Sequence, residues 1–99
     1  MQLQELQQFI GKPFTVHRSG EKIELELVRI RELPPRDVPG LRPKPFALLF
    51  RGPQIRHHTE ALPRQVHELH AADGKLFLIY LEPVISTGEP GILYEAIFD

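Results

Sequence analysis

The chain has no cysteine, which removes disulfides, thiolate catalysis and cysteine-held zinc or iron–sulfur centres together. It also has little net charge, −1 at pH 7, whereas dedicated nucleic-acid binders usually advertise a basic excess. Hydroxyl nucleophiles are scarce. Ser19 and Ser86 are the only serines, Thr15, Thr59 and Thr87 the only threonines, and none stands in a nucleophile-elbow context. Glycines occur singly, at 11, 20, 40, 52, 74, 88 and 91, so no phosphate-cradling loop exists. No apolar run approaches the roughly 18 residues of a membrane-spanning helix. The opening Met1 to Gln8 is too polar for a secretory leader, and a cytoplasmic location is the expectation. These absences predict a protein without catalytic residues or cofactor.

What is present reads as one self-sufficient domain over residues 1–99. Hydrophobic residues make up 41% and charged residues 25%, values of a chain that can bury a core rather than of a disordered one. Leu3, Leu6 and Ile10, with Phe9 widening the face, form a short amphipathic stripe that predicts a helix over 2–10, stopped by Gly11 and Pro13. A helix this short must dock on something apolar.

Beyond Pro13 the period becomes two. Phe14 to His17 and Lys22 to Leu27 read as a hairpin around a turn at Arg18-Ser19-Gly20-Glu21, with Ile23, Leu25 and Leu27 on one face and Glu24 and Glu26 on the other. At Leu27-Val28 the phase slips by one residue, since Val28 and Ile30 are apolar while Arg29 and Arg31 are charged. A β-bulge there would restore register and bend the strand, as a barrel requires. Five prolines (Pro34, Pro35, Pro39, Pro43 and Pro45) make 33–45 a stiff loop through which neither helix nor ladder can run.

Phe46 to Phe50 and Leu76 to Leu81 are apolar on both faces, and Ile92 to Phe98 nearly so. Such strands call for a closed barrel, a second layer or a partner subunit. The segment 64–73 fits a helix opened by Pro63 or a strand leading through Ala72-Asp73-Gly74 into the next strand; strand is preferred. The fold expected is mainly β, a small antiparallel β-barrel or sandwich of about six strands with a short N-terminal helix.

Five histidines raise the question of a metal. His57 and His58 are adjacent and point to opposite sides of an extended chain, while His67 and His70 converge only on a helix. The zincin spacing His-Glu-x-x-His is missed by one residue. They are read as solvated surface side chains, with a metal or small-ligand site at a barrel mouth as the alternative. Glu24 and Glu26 share a face marked as solvent by its alternation. Arg29, Arg31, Arg51, Arg56 and Arg64 are the candidates for a binding surface, but Phe46, Phe50, Phe77 and Phe98 belong to apolar strands and leave few rings for bases to stack on. Nucleic-acid binding is the weakest of the readings.

Charge is unevenly spread along the chain. Arg29 to Arg64 carries eight basic residues against three acids, a net +5, and Gln65 to Asp99 carries Lys75 against six acids, a net −5. Either the segments interleave and the charges mix, or copies stack head to tail. In the second case Arg51→Glu would change assembly without changing folding.

Five blocks carry a resemblance: Leu3-x-x-Leu6-x-x-Phe9-Ile10-Gly11-Lys12-Pro13-Phe14; Ile23 to Val28; Pro45 to Pro53 with its Phe-x-x-x-Phe-Arg-Gly-Pro segment; Leu76 to Pro83; and Tyr94 to Phe98. In these the whole chain resembles a family of small bacterial domains of unknown function. Between Ile55 and His70 it departs from that pattern, lacking the glycine-and-tyrosine strand opening such a relative would show. The family supplies no catalytic residues. Its loose association with phage-tail-collar-like genes implies an accessory or structural part of a tail-like assembly, so a protein partner, including a second copy of the chain, is the expectation.

Overall fold

The alternation of apolar and charged residues is realised as six antiparallel strands whose inner faces meet around one core. The computed structural model describes residues 3–18, 20–34, 45–54, 61–84 and 91–98. In chain order the elements are α1 (Leu3–Gln7), β1 (Pro13–Arg18), β2 (Glu21–Glu32), β3 (Phe46–Gly52), β4 (Gln65–Ala71), β5 (Leu76–Val84) and β6 (Ile92–Phe98). The strands close a barrel in the order β1-β2-β3-β6-β5-β4. Closure leaves the sheet no continuous free edge, and it buries the inward residues of all six strands on one another.

The expected hairpin is present, with Val16 opposite Ile23 and Phe14 opposite Leu25. So is the bulge. Leu27 faces Phe50 and Arg29 faces Leu49, which leaves Val28 as the extra residue. After it Ile30 takes the inward phase opposite Leu48, and Arg29 and Arg31 turn outward. The segment 64–73 contains strand β4, and Gly74, at φ 90°, shapes the turn into β5. Within that turn the Gly74 amide donates to the Ala71 carbonyl at 3.0 Å and the Lys75 amide to Asp73 Oδ1 at 3.0 Å.

Two expectations need correction. The helix is shorter than 2–10, ending at Gln7. Residues 9, 10 and 12 donate to carbonyls three positions back, at 3.0, 3.4 and 2.9 Å, a tightening that rotates Phe9 into the core and leaves Ile10 48% exposed. Residue 2 lies outside the described residues. The strands read as apolar on both faces are not all covered on both. In β5 Phe77, Ile79 and Leu81 are buried, whereas Leu76, Leu78 and Tyr80 are 52%, 62% and 48% exposed. In β3, Ala47 is buried between Arg31 and Ile97 in the register.

Phe14 sits at the centre of the core, its ring 5.4 Å from Phe50, 5.5 Å from Phe9 and 6.1 Å from Phe77, each edge to face. That geometry suits the ring quadrupole. Leu6 of the helix and Phe9 of the turn after it pack into this core, and the Gly11 amide donates to the Leu27 carbonyl at 2.7 Å. Leu62, fully buried, joins the same core from the segment ahead of β4. At the neck of the proline-rich loop the Leu33 amide donates to the Pro45 carbonyl at 2.9 Å; residues 35–44 lie outside the described residues.

Candidate functional site

Two seams of the barrel are short. β1 meets β4 through only two partner pairs, Phe14 with Ala71 and Thr15 with His70. β5 meets β6 through three, from Glu82/Glu95 to Val84/Leu93, although β4 pairs with β5 through six and β3 with β6 through seven. Strands that part before their ends leave backbone groups and side chains available for other partners.

Where β1 and β4 part, a cavity of about 170 Å³ opens, lined by Val16, His17, Gln65, Val66, His67, Glu68 and His70. The strand geometry separates its two predicted histidines, as expected for neighbours of opposite phase. His70 points outward, edge to face with His17 at 5.4 Å between ring centres and 86° between planes. His67 points inward and is 6% exposed, so the expectation of a solvated side chain fails there. Its Nε2 donates to the Pro63 carbonyl at 2.8 Å. A carbonyl can only accept, so the proton is on Nε2 and the interior position is a satisfied one. His57 and His58 lie outside the described residues. His17 was not singled out from sequence, because its partner, 53 positions away, is supplied by the β1–β4 pairing.

The five candidate arginines do not form one surface. Arg29, Arg31 and Arg51 share the outer wall of β2 and β3, Arg64 is exposed just ahead of β4, and Arg56 lies outside the described residues. On that wall the charges are mixed. Arg31 Nη2 lies 3.7 Å from Glu95 Oε2, and Arg51 stands opposite Glu26 in the register. A shallow hollow there of about 60 Å³ is lined by Arg29, Arg31, Ala47, Leu48, Leu49 and Glu95, aliphatic rather than aromatic between its charges. Glu24 and Glu26 are both exposed.

The third surface is the outer wall of β4 and β5. Val66 faces Tyr80, Glu68 faces Leu78 and His70 faces Leu76. Val66 is 56% exposed, so with Leu76, Leu78 and Tyr80 it makes a contiguous apolar row beside the part of β5 that, among the described residues, has no ladder partner on its β6 side. Side chains of this type across adjacent strands amount to a patch on the order of a few hundred Å², the size that marks interaction surfaces on monomers.

Among the described residues no helix is long and apolar enough to cross a membrane. The family model described as "Domain of unknown function (DUF6916)" matches residues 1–98. No curated protein and no solved structure matches the chain.

Proposed function

The chain belongs to this family of domains of unknown function, and from its geometry we propose that it is a non-enzymatic interaction module, a barrel that self-associates through the outer wall of β4 and β5. The observation that carries this reading is the row Val66, Leu76, Leu78 and Tyr80, each about half exposed on a sheet face.

A second copy is the occupant that fits. Among the described residues β5 has no ladder partner on its β6 side from Leu76 to Leu81. Antiparallel pairing of two β5 strands about a two-fold axis at Leu78 sets Leu76 opposite Tyr80 of the other copy. Uncharged side chains meet uncharged ones, and the row is complementary to itself, as an isologous interface requires. A stable interface buries roughly 800 Å² per partner, so this row would supply its apolar centre and Glu68 and Glu82 part of its rim.

Head-to-tail stacking by charge has less support, because Arg31 and Arg51 face acids of their own barrel. An accessory place in a phage-tail-like assembly is the finer form of this proposal and rests on the sequence resemblance.

The test is solution mass by light scattering over a concentration series, for the wild type and for Leu78→Glu. Dimerisation that Leu78→Glu abolishes, with an unchanged circular dichroism spectrum, supports the proposal. A monomer at all concentrations overturns it, as does a dimer indifferent to Leu78. Arg51→Glu is the poorer probe, since it would set two acids opposite each other at Glu26 and disturb folding as well.

A further inference from the structure

We propose that His17 and His70, with Glu68 beside them, bind a divalent transition-metal ion that clamps the seam between β1 and β4. Thr15 and His70 form the last rung of that seam. His17 lies two residues beyond Thr15, so both imidazoles project from the outer face just where the ladder stops.

The ring geometry suits a shared ion. With metal–nitrogen distances of roughly 2.0–2.1 Å and tetrahedral angles, two coordinating imidazoles have ring centres roughly 5 Å apart. His17 and His70 are at 5.4 Å with planes at 86°. Glu68 precedes His70 by two residues, hence on the same face, and lines the same cavity of about 170 Å³ as both rings. That volume accommodates an ion with its remaining waters.

Imidazole and carboxylate together select zinc, nickel or copper rather than calcium or magnesium. Among the described residues no three such groups already converge on a point. The spacing of the two histidine rings is the part already in place, and rotation of the imidazoles and of the exposed Glu68 side chain would complete the site. His67 takes no part, because it points inward and its Nε2 is committed to the Pro63 carbonyl.

An ion held here would join two strands where no backbone bond does, so binding would raise the folding stability. The site shares Glu68 with the rim of the proposed β5 interface, but its His17 lies on β1 outside the apolar row, so His17→Ala and Leu78→Glu let the two proposals fail separately.

The experiment is calorimetric titration of the metal-free protein with Zn²⁺ alone at pH 7.5, paired with thermal unfolding. One ion per chain, a raised Tm and an unchanged solution mass are expected. His17→Ala and His70→Ala should each weaken binding at least tenfold, Glu68→Gln less, and a His57→Ala/His58→Ala double variant not at all. The site is refuted by absence of binding, by one ion shared between two chains, or by binding that survives both single histidine changes. Circular dichroism of the exposed His17→Ala variant verifies that a loss is not unfolding.

Discussion

The buried Leu62 amide donates a 3.0 Å hydrogen bond to the hydroxyl of Tyr94, a side chain 2% exposed. Arg18 Nη1 donates to the neighbouring Ala61 carbonyl at 3.0 Å. These contacts tie the segment ahead of β4 to β1 and β6. Removing the hydroxyl alone, in Tyr94→Phe, leaves a buried N–H without its acceptor and should cost about 1–3 kcal/mol, read from the shift in urea midpoint at constant slope.

The same residue should contribute to the alkaline limb of stability. Burial raises the Tyr94 pKa from its ordinary value, against the smaller lowering effects of the Leu62 bond and Arg18. Below the unfolded value, roughly 10, folded and unfolded states both keep the proton and this stabilisation is fully present. As pH rises further, the unfolded state releases its proton first, so stability falls until the folded pKa is passed. Tyr94→Phe should flatten that fall in denaturation midpoints measured from pH 8 to pH 11; an identical slope in both proteins would assign it to other groups.

A comparison of Phe9→Ala with Ile10→Ala tests which residue the tightened turn buries. Phe9 is 3% exposed and packs edge to face with Phe14 and Phe77 at 5.5 and 5.8 Å, so its truncation should cost about 3–5 kcal/mol. Ile10 is half exposed, and its truncation should stay within about 0.5 kcal/mol. Equal losses would restore the ideal helical stripe of Leu3, Leu6 and Ile10.

The residues show why some features were legible in the sequence and others were not. Phase is local: Glu24, Leu25, Glu26 and Leu27 declare their faces by alternation, and the slip at Val28 declares the bulge without reference to any other strand. The helix length was misread because Ile10 obeys helical spacing while Gly11 and the turn before it overrule that spacing. His67 was misread because a strand puts alternate residues inside whatever their polarity, and only the Pro63 carbonyl, supplied by the segment ahead of β4, makes the interior acceptable. The His17–His70 pair and the exposed β5 row depend on which strands meet and where they part. That information lies in tertiary pairing, so composition showed that β5 had two apolar faces but not which would stay uncovered.

Gly91 and Gly74 both have positive φ, 78° and 90°, but their surroundings differ. A Cβ at Gly74 would meet nothing within 4 Å, whereas one at Gly91 would collide with the Gly52 carbonyl oxygen. Gly74→Ala should therefore cost only the left-handed strain, about 1–2 kcal/mol. Gly91→Ala should cost clearly more, since backbone cannot swing aside as a flexible side chain can. Thermal unfolding of the pair measures the difference, and equal losses would mean that the β3–β6 junction yields easily.

Deleting Val28 separates alternation from curvature. Without it Leu27 would be followed directly by Arg29, the inward and outward phases of β2 would alternate without interruption, and the partners Phe50 and Leu49 would be kept. By pattern alone the shortened strand looks better. Yet the extra residue bends β2 and increases its twist, and a strand of twelve residues that pairs with β1 in its first half and β3 in its second must curve to bring both neighbours into one closed barrel. The deletion should therefore lower stability by about 2 kcal/mol and raise amide exchange along the β2–β3 ladder, while Val28→Gly, which keeps the extra residue, should cost less. A deletion variant as stable as the wild type, with an unchanged exchange pattern, would mean that closure does not depend on the bulge and that the slip in the sequence is only tolerated.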